Sequence, residues 1–197
     1  MLHLTQNDYA VSRWSGGSTT QIAVFPPDSS YSARNFLWRV SSAVVEDERS
    51  TFTPLPDYDR HLMLLDGSLL LRHDGGEPLR LNARQVHSFD GGAATESQGR
   101  CRDFNLMLRK GLCRGELRHI SFEGTGEELL RLPLPDSKFS HSAFLLYCAA
   151  GSVRVSLNDE VCSLTESESL LTEDTGDAAL HLMGQEAAFA AAAIWWD

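Results

Sequence analysis

The sequence predicts an all-β fold, arranged as two jelly-roll-like β-barrels that pack together, and three observations support this prediction. Short apolar and alternating runs dominate the 197 residues and are separated by Gly, Asp and Pro. Such a many-stranded pattern is typical of sandwiches and barrels. The segment LMLLDGSLLL at 62–71 also matches LYCAAGSVRV at 146–155, so that Gly67 aligns with Gly151 and the chain contains an internal repeat.

The predicted strands follow the apolar runs in chain order. In the first half they lie at residues 19–25, 36–45, 60–65, 68–73, 86–89 and 103–109. In the second half they lie at 115–122, 143–149, 152–157, 161–164, 169–172, 179–183 and 188–195. Asp66 and Gly67 separate two apolar runs and predict a turn there. The segment TGEELLR at 125–131 contains good helix formers and predicts one short helix.

The chain is long enough for two small domains, and we divide it into residues 1–110 and 111–197. Charge is spread unevenly between these parts. The first contains 12 Lys and Arg against 13 Asp and Glu, and the second contains 5 against 14. The acidic second part is interpreted either as a solvated surface or as a surface that docks a partner. The arginines of the first part favour an anionic ligand there.

Composition limits the classes of partner. The net charge of −10 argues against a nucleic acid or an anionic membrane, since both attract basic patches. The N-terminal MLHLTQNDYAVSRW has no basic segment followed by an apolar run, and no stretch has the length of a membrane span. The four cysteines show no Cys-x-x-Cys spacing, so we expect reduced thiols and a cytoplasmic protein. A homodimer is compatible with the sequence, which leaves the oligomeric state open.

Several motifs of the first 110 residues resemble the HutD/Ves family in order and spacing. They are Trp14 with GGSTTQIA at 16–23, FLWRVSSA at 36–43, TFTPLPDYDRHLMLLDG at 51–67, FDGG at 89–92 and RDFNLM at 102–107. The resemblance implies a bicupin fold, with a pocket in the first barrel that holds no metal. It also implies a link to histidine utilisation or to stress response, and no established enzymatic activity.

The candidate site follows from strand alternation. Side chains two residues apart in a strand share a face, and alternate residues fill the interior of a barrel. Polar residues on three predicted strands can therefore converge on one cavity: Arg39, Ser41, Arg60, Asp103 and Asn105. The glycines at 16 and 17 are flanked by Trp14, Thr19 and Thr20, which we interpret as a flap over the pocket that supplies an aromatic wall and hydroxyl donors.

Arginine suits a pocket for carboxylates, because its planar fork binds them with two parallel hydrogen bonds. The alternative is that Arg39 or Arg60 pairs with Asp59 or Asp103 and ties strands together. The seven histidines are scattered without any His-x-His pair, so we expect neither a metal nor a cofactor. No Gly-x-Ser-x-Gly motif marks a nucleophile.

These observations predict a protein that binds a small anionic metabolite, such as a carboxylate from histidine degradation, in a regulatory or accessory role. Two alternatives stay open. The first is a metal-independent cupin enzyme of the isomerase or lyase class that uses an arginine with Asp103 or His61. The second is an interaction module that docks a protein through its acidic second half.

Overall fold

The computed structural model describes residues 1–197, which form fifteen strands and one 3-10 helix at Gln6–Asp8. The all-β prediction is therefore confirmed. The chain forms two compact units, Tyr9–Leu112 and Met1–Asp8 with Cys113–Asp197. Residues 1–8 thus group with the second unit, although the sequence division placed them in the first. No helix of the structure has the length and apolar character needed to span a membrane.

The unit Tyr9–Leu112 contains one nine-stranded sheet. Its strands are β2 (Ala10–Trp14), β3 (Gly17–Phe25), β4 (Trp38–Val45), β5 (Arg49–Thr51), β6 (Tyr58–His73), β7 (Leu79–Asn82), β8 (Val86–Asp90), β9 (Thr95–Gln98) and β10 (Cys101–Arg109). They are ordered β2-β3-β4-β10-β6-β9-β5, and β7 and β8 also pair with β6. All named pairs are antiparallel, and leucines of β6 and β7 form an apolar cluster beneath the sheet.

The second unit contains a six-stranded sheet. Its strands are β1 (Leu2–Leu4), β11 (Cys113–Arg131), β12 (His141–Leu157), β13 (Glu160–Thr165), β14 (Ser169–Glu173) and β15 (Ala179–Trp196). They are ordered β1-β14-β12-β15-β11, and β13 pairs with β12. The pairing of β1 with β14 is what brings the N-terminal residues into this unit. Its interior is an apolar core that includes Phe144, Phe189 and Ala191.

The internal repeat corresponds to equivalent strand pairing in the two units. Residues 59–63 of β6 pair with β8, and residues 143–147 of β12, which lie 84 positions later, pair with β14. The segment after the glycine pairs with β7 from Ser68 in one unit and with β13 from Ser152 in the other. The repeat seen in the sequence is therefore a repeat of structure.

The prediction of a turn at Gly67 is wrong, because the glycine marks a bend within a strand. Gly67 and Gly151 lie inside the continuous strands β6 and β12, with φ of +81° and +75°. Glycine is needed there because it alone adopts such a φ without steric cost, and the register shifts at a bulge beside each glycine. A signal read as a hairpin turn therefore marks a bend at which one strand changes partners.

The helix predicted over 125–131 is also wrong, because the segment continues β11. Its residues pair one by one with β15, from Thr125 opposite Gln185 to Arg131 opposite Ala179. Burial alternates along it, with Leu129 67% exposed and Leu130 1% exposed. Pairing over the full length of a neighbouring strand outweighs the helix propensity of Glu and Leu.

Candidate functional site

The unit Tyr9–Leu112 contains a cavity of about 340 Å³ over the strands β4, β10 and β6. The register of these strands explains which side chains line it. Met107 of β10 lies opposite Arg39 of β4 on one side and opposite Arg60 of β6 on the other. The three residues therefore form one row across the sheet. In the same way Ser41 lies beside Asn105 in the next row.

Seven of the eight predicted site residues line this cavity: Trp14, Thr19, Arg39, Ser41, Arg60, Asp103 and Asn105. Thr20 does not. It lies on β3 between Thr19, which lines the cavity, and Gln21, whose side chain contacts Arg39. Since successive side chains of a strand point to opposite faces, Thr20 points away.

Arg39 is held in place by neutral side chains. Its Nε donates to Oε1 of Gln21 at 2.8 Å, and its Nη1 donates to Oγ of Ser41 at 2.9 Å. The Tyr31 ring lies 4.9 Å from the guanidinium carbon. These contacts orient Arg39, and it forms no ion pair with Asp59 or Asp103, which was the alternative role for this arginine.

Arg60 is buried without a hydrogen-bonding partner. It is 6% exposed, and its Nε reaches no acceptor. Its guanidinium carbon lies 4.7 Å from the centre of the Phe52 ring and 5.4 Å from that of Phe89, at distances typical of cation–π contacts. Burial lowers the pKa of Arg60 to about 10, so the side chain is a cation at neutral pH.

The FDGG motif supports the stem of Arg60. A Cβ on Gly91 would lie 2.6 Å from the carbonyl oxygen of Tyr58, 2.8 Å from that of Leu55 and 3.3 Å from Cδ of Arg60. No side chain fits in that space, so glycine lets this loop pack directly against the backbone that carries the arginine.

Two acceptor groups lie on β10 in the same cavity. Oδ1 of Asn105 is buried and has no hydrogen-bond partner. Oδ1 of Asp103 accepts a hydrogen bond from the backbone N–H of Ala43 at 3.2 Å. Burial raises the pKa of Asp103 to about 7, against the opposing effects of Arg60, of that hydrogen bond and of Arg39. The cavity therefore combines two buried arginines, and the exposed Arg13 of β2, with one carboxyl group whose pKa lies near 7.

The glycines at 16 and 17 join β2 to β3, and Trp14 lies over them. Its Nε1 donates to Oγ1 of Thr19 at 3.2 Å, and a Cβ on Gly16 would lie 2.3 Å from the indole ring. Gly17 has a φ of +151°, and a Cβ there would lie 1.9 Å from the carbonyl oxygen of Val44. The glycines thus allow Trp14 to form one wall of the cavity.

The sequence interpretation missed Gln21, Tyr31, Phe52 and Phe89, all of which contact an arginine of the site. A signal existed for Gln21, because it shares a strand face with Thr19. Phe89 belongs to the FDGG motif, but its contact with Arg60 depends on the pairing of β6 with β8. Tyr31 and Phe52 lie outside the strands, where alternation gives no signal.

The structure brings together no group of three or more His, Cys, Asp or Glu side chains able to hold a metal ion. Two histidines do meet, with Nε2 of His73 and Nε2 of His87 2.9 Å apart, but they lie outside the cavity lining. The absence of a metal from the pocket stays a prediction.

At three positions of the polar site the second unit carries apolar side chains. The register of β15 on β12 matches that of β10 on β6, so equivalent positions can be assigned. The equivalents of Arg60, Asp103 and Asn105 are Phe144, Phe189 and Ala191, which lie in the apolar core. On β11, Glu116 and Arg118 take the places of Arg39 and Ser41, so the second unit has charged residues at this level but no equivalent of the buried Arg60.

Comparison with known proteins decides the family. The family model HutD matches residues 6–190 of the chain. The chain belongs to the HutD family. Over 107 residues it is 34% identical to Protein Ves of Cronobacter sakazakii, a match that covers 52% of this chain and 56% of Ves. The chain thus spans little more than half the length of that curated relative.

Solved structures match over nearly the whole chain. A conserved protein of unknown function from Pseudomonas aeruginosa is 26% identical, with a TM-score of 0.79, and the match covers 100% of this chain and 98% of that one. HutD from Pseudomonas fluorescens, in a formate condition, is 21% identical, with a TM-score of 0.70 and 97% coverage of both chains. A cupin barrel domain protein from Leptotrichia buccalis is 9% identical, with a TM-score of 0.56 over 100% of this chain and 96% of that one, which shows a cupin-like fold.

Proposed function

We propose that this HutD-family chain is a small-molecule binding protein whose first unit holds the carboxylate of an anionic metabolite. The observation that carries the proposal is the state of Arg60. It is buried and positively charged, and its Nε has no acceptor in the protein. Asn105 lines the same cavity, and its buried Oδ1 also has no partner, so two lining side chains have unmet hydrogen-bonding capacity.

The energetics favour a charged occupant. Burying a charge without a partner costs several kcal/mol, and native structures rarely retain such a group without a compensating role. A carboxylate supplies the missing negative charge and accepts hydrogen bonds that contribute about 1.5–3 kcal/mol each. Arg39, fixed by Gln21 and Ser41, is oriented to add a second cation.

The role is regulatory or accessory, and the ligand class includes carboxylates from histidine degradation. Membership of the HutD family supports the link to histidine utilisation. We further propose that the two units are the two barrels of a bicupin, of which the second serves as scaffold. The matching registers of β6 and β12, and the apolar side chains at the equivalents of Arg60, Asp103 and Asn105, support that assignment.

A thermal-shift screen tests the proposed function. Glutamate, its N-acyl derivatives, succinate and formate are added at equal ionic strength, with chloride as the control anion. We expect at least one carboxylate to raise the melting temperature in a concentration-dependent way, because a ligand that binds only the folded state stabilises it. If every carboxylate behaves as chloride does, in the thermal screen and in calorimetric titration, the pocket does not serve carboxylates and the proposal is wrong.

A second candidate function is metal-independent acid–base catalysis, and Asp103 is the observation that favours it. A carboxyl group whose pKa is raised to about 7 is suited to exchange protons at neutral pH, and the nearby arginines can stabilise an enolate. With 2-oxobutyrate in D₂O, this function predicts deuterium exchange above the uncatalysed rate, measured by proton NMR, and its loss in Asp103→Asn. Exchange at the uncatalysed rate in both proteins is the contrary result.

A further inference from the structure

Asp103 lines the polar cavity, and its carboxyl group has few hydrogen-bond donors around it. It is 5% exposed, and across the sheet it faces Ala43 on β4 and Leu64 on β6. The N–H of Ala43 is the one hydrogen-bond donor that its carboxyl group receives. Neither Arg39 nor Arg60 forms an ion pair with it. A carboxylate held by one backbone hydrogen bond is therefore stabilised mainly by the more distant positive charges.

The groups that act on this carboxyl come from every neighbouring element. Arg60 on β6 and Arg39 on β4 favour its ionised form, while burial opposes it. Tyr31, from the loop before β4, lies against Arg39. On β10 itself, burial and Asp103 raise the pKa of the Cys101 thiol to about 12, so that this neighbour is neutral. The two arginines are thus the positive charges that allow Asp103 to ionise.

A bound carboxylate weakens the stabilisation that the arginines give to ionised Asp103. When it occupies Arg60, its negative charge offsets the field of the arginine and repels a second carboxylate in the same cavity. Both changes favour the neutral form of Asp103, and water or buffer supplies the proton. We propose that the pocket binds its carboxylate ligand together with one proton, which Asp103 holds. This inference rests on the proposed function.

The expected pH dependence has a definite sign. Below the pKa of Asp103 in the free protein, about 7, its carboxyl is already neutral and affinity does not change with pH. Above it, binding must take up a proton, so affinity falls about ten-fold for each pH unit until the higher pKa of the complex is reached. Formate, which is ionised throughout the range, contributes no titration of its own.

The experiment measures the dissociation constant of formate between pH 5.5 and 9 by NMR titration, for the wild type, Asp103→Asn and Asp59→Asn. Asparagine imitates the neutral carboxyl and can still accept the Ala43 hydrogen bond. We expect the wild type to lose about ten-fold in affinity between pH 7.5 and 8.5. Asp103→Asn should keep the low-pH affinity at every pH, and the exposed Asp59→Asn control should follow the wild type.

Calorimetry of the wild type at pH 8, in two buffers of different ionisation enthalpy, counts the protons directly and needs no variant. Uptake of about one proton per formate supports the inference. Formate binding without proton uptake, or with the same pH profile in Asp103→Asn and the wild type, overturns it while leaving carboxylate binding intact. A pocket that binds no formate at any pH overturns the inference, and failure of the whole carboxylate panel overturns the proposed function as well.

Discussion

Arg60→Lys is expected to weaken binding of a cognate carboxylate about ten-fold or more, which corresponds to about 1.4 kcal/mol per factor of ten. Lysine keeps the positive charge but loses the planar fork that binds both carboxylate oxygens. Arg39→Ala should weaken binding further, because it removes a charge and frees Gln21 and Ser41. Calorimetric titration of the wild type and both variants measures the effect.

The control for Arg60→Lys is Arg72→Lys, an exposed arginine on the same strand that does not line the cavity. We expect it to bind as the wild type does. Circular dichroism checks that all the variants fold. Since the Nε of Arg60 bonds to no acceptor in the protein, and lysine keeps a cation beside Phe52 and Phe89, Arg60→Lys should not lower the melting temperature of the unliganded form. If Arg60→Lys binds normally or unfolds, Arg60 is a structural residue and the site assignment fails.

Gly151→Ala and Gly67→Ala are each expected to lower the free energy of unfolding by about 2–5 kcal/mol. The positive φ alone costs an alanine roughly 1–2 kcal/mol. A Cβ would also lie 2.3 Å from the carbonyl oxygen of Arg100 at Gly67, and 2.4 Å from that of Glu186 at Gly151. Glu186 lies in β15 and Arg100 directly precedes β10, so neither carbonyl can move far without disturbing strand pairing. The overlap therefore adds a further cost of about 1–3 kcal/mol.

Gly75→Ala provides the matched control for these two variants. Gly75 also has a positive φ, of +69°, but a Cβ there would meet nothing within 4 Å. Gly75→Ala should therefore be destabilised only by the positive φ, about 1–2 kcal/mol. Urea unfolding of the three variants separates the two contributions. Equal destabilisation of all three variants would show that the backbone contacts around Gly67 and Gly151 do not contribute to stability.

The parts of the site that sequence could predict are those set by alternation along a single strand. Arg39 with Ser41, and Asp103 with Asn105, share faces whatever the strand boundaries are. The partners of the arginines were harder to predict, because Tyr31 and Phe52 reach the cavity along paths set by the tertiary fold. The sequence predicts a turn at Gly67 because Asp-Gly favours both turns and bulges, and only pairing with remote strands distinguishes the two.

Ligand binding at the unpaired charge of Arg60 also links the lifetime of the protein to the concentration of its ligand. A ligand present at a hundred-fold excess over its dissociation constant adds about 2.7 kcal/mol to the stability of the folded state. Proteases act on the unfolded chain, so the same ligand lowers the fraction open to degradation about a hundred-fold. On the proposed function, the copy number of the protein in the cell would rise and fall with the metabolite, without any change in synthesis.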